Sequence, residues 1–220
     1  MSKSHIYLIE SSNRHVLANM FMRFQEYYES PQFKGKTFSI DEFAAWYASH
    51  YGAFTYSQDW YGFNIPATVL EPFKNGQFDP LTYHEKRLIE FCSGANNKSY
   101  VIGATPSAEY FDETIRHEFV HGAFFTNKEY RDEVIKCLAE HKIEKIKSAL
   151  ADMGYHEDVA FDEANAYLLV EPETIKEYIT IRDSKGLRDR LEVIFKKHFG
   201  FSVVSSSLQS VTSRVRYINI

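Results

Sequence analysis

The residues most able to do chemistry lie in the run His117-Glu118-Phe119-Val120-His121. Positions four apart share one face of a helix, so the two imidazoles can bind a single metal ion. Glu118 then lies beside the metal, where a carboxylate can act as general base toward a bound water. The spacing therefore predicts a metal-dependent hydrolytic centre with His117 and His121 as metal ligands.

The composition and the neighbouring residues bear on whether this run is accidental. With 9 histidines and 30 acidic residues, a chance match has a probability of roughly a few per cent. The alternative is a helix whose histidines face solvent or are satisfied in the core. Ile115, Phe124 and Phe125 flank the run and indicate a buried helix. Two buried histidines and a glutamate are costly without a partner, and a metal ion supplies one.

A catalytic zinc site needs a third protein ligand. Gly-Ala-Phe-Phe-Thr follows His121, so the HExxHxxGxxH continuation of the metzincins is absent. Glu163 follows Phe161-Asp162 and has small neighbours that would let its helix approach closely. Glu140 lies in a run of Glu, Lys and His that is typical of a solvated helix face. We favour Glu163 over Glu140, and His141 is a further alternative.

The arrangement resembles the gluzincin metallopeptidases over about residues 99–170. The resemblance implies that His117 and His121 bind one zinc ion, that Glu118 is the general base, and that a downstream glutamate is the third ligand. The segment around Glu163 looks like the glutamate helices of small gluzincins. The competing Glu140 matches the spacing of several aminopeptidases of that class.

Other residues are candidates for supporting roles at the zinc ion. Asp162 can accept a proton from a ligand histidine, or can simply cap its helix. Thermolysin-like members carry an aspartate four residues after the ligand glutamate, whereas this chain has Tyr167. Gluzincins also use a Tyr, His or Arg to stabilise the charged reaction intermediate. The residues of suitable type are Tyr155, His156, Tyr167, Tyr178 and His198, and we name Tyr167 as the catalytic candidate.

Ser99–Ala104 reads as a strand, because it combines β-branched and aromatic residues. In the fold class that the gluzincin resemblance implies, the strand before the helix with the HExxH motif forms the edge of a sheet. An extended peptide substrate binds along this edge as an additional strand. The residues Tyr100, Val101, Ile102 and Gly103 are then candidates for substrate binding. The alternative is an ordinary core strand.

Two functions other than peptide hydrolysis remain open. The same zinc apparatus can hydrolyse another amide or an ester. The chain can instead be a non-catalytic zinc domain, or a degenerate peptidase scaffold that binds a partner. Glu118 favours catalysis, because a structural site needs no base there. Cys92 and Cys137 have no spacing typical of a four-ligand structural site.

Charge and hydropathy exclude other classes of partner. The net charge of -5 provides no basic surface for nucleic acid. No apolar run approaches the length of a membrane span, and the N-terminal run Ile6–Ile9 is too short for a signal peptide. We therefore expect a cytoplasmic protein that acts on a peptide or protein substrate. Export without a signal peptide stays open, as does the oligomeric state.

The elements predicted along the chain form a single α+β domain, mostly helical with a small mixed sheet and zincin-like in fold. It comprises a mainly helical part at 1–98, the zinc-site core at 99–170, and C-terminal helices and tail at 171–220. The predicted helices cover 14–29, 39–51, a segment from Asp79-Pro80, Thr105-Pro106 to Phe125, 127–153, 161–170, 173–182 and 187–198. The tail from Ser205 to Ile220 is expected to pack as a terminal strand, or else to lie in the cleft.

Overall fold

A computed structural model describes residues 5–106, 110–141, 143–153, 155–175 and 181–220, with the backbone alone at 181–184. The chain divides into two compact units. The first consists of Met1–Phe111 and Val215–Ile220, and the second of Asp112–Arg214. The last strand of the chain belongs to the first unit because it joins the sheet of that unit.

The first unit contains a mixed four-stranded sheet in the order β2-β3-β1-β4. The strands are β1 (Ile6–Glu10), β2 (Gly62–Pro66), β3 (Tyr100–Ala104) and β4 (Arg216–Asn219). β1 is parallel to both β3 and β4, whereas β2 is antiparallel to β3. The predicted terminal strand is therefore confirmed as β4. The inner strands β1 and β3 are almost wholly buried, which explains their continuous apolar sequences.

The prediction that β3 forms a sheet edge is wrong. β3 is paired with β2 on one side and with β1 on the other, so it offers no free row of backbone groups. Strand addition of a peptide along Tyr100, Val101, Ile102 and Gly103 is excluded for that reason. Gly103 instead permits close helix packing, because an added Cβ would lie 2.7 Å from Cε2 of Phe21.

Helix α1 (Arg14–Glu29) packs against β2 and β3 through a buried face that includes Leu17, Phe21 and Phe24. This face is the one that the four-residue periodicity predicts. The remaining helices of the unit are α2 (Ile40–Tyr51), α3 (Tyr56–Asp59), α4 (Leu70–Lys74) and α5 (Tyr83–Phe91).

Capping boxes set the starts of α2 and α5. Ser39 and Glu42 exchange hydrogen bonds at the start of α2, as their spacing predicts. Thr82 and Glu85 do the same for α5. The predicted helix start at Asp79-Pro80 is therefore wrong by three residues, because the Thr-x-x-Glu signal that begins α5 comes later.

A buried ion pair joins α1 to α5. Arg23 Nε lies 2.6 Å from Glu85 Oε1, and Arg23 Nη2 lies 2.7 Å from Glu85 Oε2. The two side chains are only 4% and 1% exposed. Arg23 also donates to the backbone oxygens of Phe38 and Phe78, while Glu85 accepts from the backbone N–H of Thr82. The charged groups of Arg23 and Glu85 therefore both have hydrogen-bond partners.

Glu85→Ala is expected to destabilise the first unit by about 3 kcal/mol, because it leaves the buried guanidinium of Arg23 without its counter-charge. Urea unfolding followed by tryptophan fluorescence measures the effect, since both tryptophans, Trp46 and Trp60, belong to this unit. Glu90→Ala is the matched control on the same helix. Glu90 pairs with Arg87 at the surface, so its loss is expected to cost about 0.5 kcal/mol or less. Equal destabilisation by both variants would contradict the assignment.

The regular elements in the described part of the second unit are helices joined by turns and loops. Its helices are α6 (Phe111–Thr126), α7 (Lys128–Glu140), α8 (Glu144–Asp152), α9 (Ala160–Leu169), α10 (Ile181–Phe199) and α11 (Leu208–Thr212). α10 packs against α7 and α9, and α8 packs against α9. Of the two predicted C-terminal helices, the one at 187–198 is confirmed within α10, and the one at 173–182 lies partly outside the described residues.

The predicted helix over 127–153 is two helices, α7 and α8. The first ends at Glu140 and the second begins at Glu144. The predicted inner-face residues are all buried, namely Val134, Leu138, Ile146 and Leu150. Gly154, the predicted terminator, lies outside the described residues.

The α+β class with a small mixed sheet is confirmed. No helix within the described ranges is both long enough and apolar enough to cross a bilayer. Cys92 and Cys137 are both free and buried.

Candidate metal centre

The motif run lies in the interior of α6. Asp112 and Glu113 occupy its first turn, where carboxylates favour the positive end of the helix dipole. Every residue from Thr114 to Phe124 is buried. The helix begins at Phe111 rather than at Thr105-Pro106, and residues 107–109 lie outside the described part of the chain. The motif is therefore held on a rigid, buried helix.

His117 and His121 lie one turn apart on α6, with their ring centroids separated by 4.8 Å. Glu163 approaches both from the first turn of α9. Its Oε2 lies 3.8 Å from His117 Nε2, and its Oε1 lies 3.6 Å from His121 Nε2. One ligand atom from each of the three residues lies within 4.8 Å of the other two. The structure thus brings together the two histidines and the favoured glutamate.

Small residues flank Glu163 on α9. Ala164 and Ala166 are both 0% exposed, and Glu163 itself is 3% exposed. A buried carboxylate needs partners, and its neighbours here are the two imidazoles of α6. Glu163 reaches the two histidines of α6 through its side chain, while α9 packs mainly against α7, α8 and α10.

Each histidine has a second carboxylate beside its other ring nitrogen. His121 Nδ1 lies 3.0 Å from Asp162 Oδ1, which is the contact proposed for Asp162 from the sequence. His117 Nδ1 lies 3.3 Å from Glu171 Oε1, a contact that the sequence reasoning missed. The available signal was its spacing, since Glu171 lies four residues after Tyr167 and eight after Glu163.

The surrounding acids change the proton affinity of the imidazoles. Burial is the largest influence on the pKa of His117 and lowers it, but Glu163 and Glu171 outweigh burial and raise the pKa to about 9. Burial likewise lowers the pKa of His121, whereas Asp162 and Glu163 hold it well above its ordinary value. Glu118 adds to the same negative potential at both rings. Four carboxylates around two imidazoles make a cluster that attracts cations.

Unpartnered buried atoms test whether these residues suit a metal. His121 Nε2 and Glu163 Oε2 are buried and make no hydrogen bond within the described residues. Such atoms are costly unless another ligand satisfies them. Two imidazole nitrogens with one carboxylate oxygen form a three-ligand donor set that suits zinc and leaves one coordination position open. The residues present therefore fit the ion.

The alternative ligands lie apart from this cluster. Glu140 is exposed and its carboxylate lies 3.7 Å from Arg190. His141 directs its Nδ1 to the backbone oxygen of Cys137 at 2.7 Å. Neither belongs to the group of potential ligands that the described residues form.

A pair of tyrosines lies beside the imidazoles. The ring of Tyr167 contacts that of His117, with 4.8 Å between centroids. Its hydroxyl is 2.9 Å from the hydroxyl of Tyr155. Burial raises the pKa of Tyr167, and the charge of Glu163 raises it further. The phenol therefore keeps its proton at neutral pH and can donate it in a hydrogen bond.

The other predicted donors have different environments. His198 Nε2 lies 2.9 Å from Glu133, and His156 Nδ1 lies 3.3 Å from Asp158 at the start of a 3-10 turn. Tyr178 lies outside the described residues. Of the described candidates, Tyr167 thus contacts a predicted ligand, and Tyr155 contacts Tyr167.

No protein-family model, curated protein or solved structure matches the chain.

Proposed function

We propose that the chain is a zinc-dependent metallopeptidase that hydrolyses peptide bonds. The observation that carries the proposal is the convergence of His117, His121 and Glu163 in one buried cluster. The gluzincin resemblance and the zincin-like fold that it implies are part of the proposal. A cytoplasmic location is the accompanying expectation.

A zinc ion held by these three residues would lower the pKa of a coordinated water and polarise the substrate carbonyl. Glu118 is the proposed base, taking a proton from the attacking water and returning it to the leaving amine. Its place on α6 supports this role, since it directly follows one ligand histidine and interacts electrostatically with both.

The Tyr167 hydroxyl is the proposed donor to the charge that develops on the carbonyl oxygen. Its retained proton and its contact with His117 support this assignment. Tyr155 would position that hydroxyl through the contact between the two phenols.

Metal removal tests the proposal. Purified protein is expected to contain about one zinc per chain, because the cluster offers one set of three ligands. Treatment with a chelator is expected to abolish cleavage of a mixed peptide library, and added zinc to restore it. Elemental analysis and mass spectrometry of the cleaved peptides measure both quantities.

Three results would overturn this function. Absence of near-stoichiometric metal would refute the zinc site itself. Bound zinc without cleavage of any peptide would refute the peptidase, in favour of a non-catalytic zinc domain. Cleavage of a non-peptide amide or ester alone would assign the chain to another class of zinc hydrolase.

A further inference from the structure

The two ring nitrogens of His117 lie next to different carboxylates. Nε2 lies 3.8 Å from Glu163 Oε2, and Nδ1 lies 3.3 Å from Glu171 Oε1. A neutral imidazole carries one proton, and the nitrogen that binds a metal must be the unprotonated one. A carboxylate beside Nδ1 therefore selects the tautomer that leaves Nε2 available.

The backbone holds Glu171 firmly in this position. The N–H of Val170 donates to the oxygen of Ala166 at 2.9 Å, and that of Glu171 donates to the oxygen of Tyr167 at 2.9 Å. The helical hydrogen bonding of α9 thus continues to Glu171. The carbonyl of Glu171 then accepts from the N–H of Thr174 at 3.0 Å, which closes a turn.

Glu171 is placed to serve as this acceptor. Its side chain is 25% exposed, so it remains partly hydrated. His117 Nδ1 is buried and makes no well-aligned hydrogen bond within the described residues, and the Glu171 carboxylate, 3.3 Å away, is an acceptor within its reach.

We propose that Glu171 is a positioning residue for the metal centre, holding the Nδ1 proton of His117 so that Nε2 faces the ion. This inference rests on the proposed zinc site and adds a residue to it. Asp162 stands in the corresponding position beside Nδ1 of His121. One helix and the turn after it therefore supply a ligand and both orienting carboxylates.

Zinc affinity of Glu171 variants tests this role without reference to peptide cleavage. Competition with a chromophoric chelator is expected to show zinc binding about 10- to 100-fold weaker in Glu171→Ala. Glu171→Gln is expected to lose less, because its amide oxygen still accepts a hydrogen bond. Glu173→Gln, at an exposed glutamate two residues later, is the control and is expected to match wild type.

Nitrogen-15 spectra of histidine-labelled, zinc-loaded protein supply a readout that a merely structural role would not move. Wild type is expected to show Nδ1–H signals from both His117 and His121. In Glu171→Ala, the Nδ1–H proton of His117 alone is expected to lose its protection from exchange with water.

Wild-type affinity and an unchanged His117 signal in Glu171→Ala would overturn the positioning role and leave the zinc site standing. No zinc binding by wild type would overturn both. If metal-free Glu171→Ala does not fold, Glu171→Gln decides by the same two measurements.

Discussion

A Glu118→Gln variant is expected to cleave peptides about 10²- to 10⁴-fold more slowly than wild type while retaining its zinc. Glutamine has nearly the same shape as glutamate, so packing within the buried part of α6 is preserved. Its amide cannot take a proton from water at neutral pH, so the proposed base is lost. Rates on a cleaved library peptide and the zinc content of the same samples are the two measurements.

Glu113→Gln is the matched control, because Glu113 is an exposed residue in the first turn of the same helix. It is expected to leave both rate and zinc content unchanged. Equal cleavage by wild type and Glu118→Gln would rule out Glu118 as the base. Loss of zinc from Glu118→Gln would indicate that Glu118 maintains the metal site rather than transferring protons.

Glu163→Ala is expected to weaken zinc binding about 10³-fold. Zinc sites with a few protein ligands have binding free energies of about 10–16 kcal/mol, so one ligand accounts for roughly 3–4 kcal/mol. The zinc-dependent increase in stability should fall by about 4 kcal/mol when zinc is in large excess. Chelator competition measures the affinity, and calorimetry with and without zinc measures the stabilisation.

Glu140→Ala separates the two glutamates that the sequence left in competition. Glu140 lies at the surface near Arg190, and loss of such a contact costs at most about 1 kcal/mol. Its zinc affinity is expected to equal that of wild type. A loss of affinity in Glu140→Ala, with none in Glu163→Ala, would reverse the assignment of the third ligand.

Much of this cluster follows from local sequence. The four-residue spacing of His117 and His121 defines one helical face, and the small residues around Glu163 indicate a helix that can pack closely. Asp162 precedes Glu163 and shares its helix turn, and contact with a ligand histidine was one of the two roles that the sequence indicated for it. Glu171 escaped prediction because it lies beyond the helix expected at 161–170, although the helical hydrogen bonding of α9 continues to it.

The errors in the fold also have physical causes. At about 100° per residue, the pair Ile146 and Leu150 is rotated by about 120° from the pair Val134 and Leu138, so this change of phase was a sign of the break between α7 and α8 that the prediction of one helix overlooked. The neighbours of β3 come from distant parts of the chain, and no local signal tells an inner strand from an edge. Its unbroken apolar sequence was nevertheless typical of an inner strand.

The pairing of β1 with β4 has a consequence for biosynthesis. Arg216 in β4 donates a hydrogen bond from Nη1 to the hydroxyl oxygen of Tyr7 in β1, 209 positions earlier. At translation rates of 5–20 residues per second, β1 is made roughly 10–40 s before β4. During that interval the outer edge of β1 lacks its native neighbour, and an uncovered strand edge is prone to pairing with other chains. All residues of the second unit are synthesised during this interval. The second unit can therefore begin to fold while the edge of β1 is still exposed.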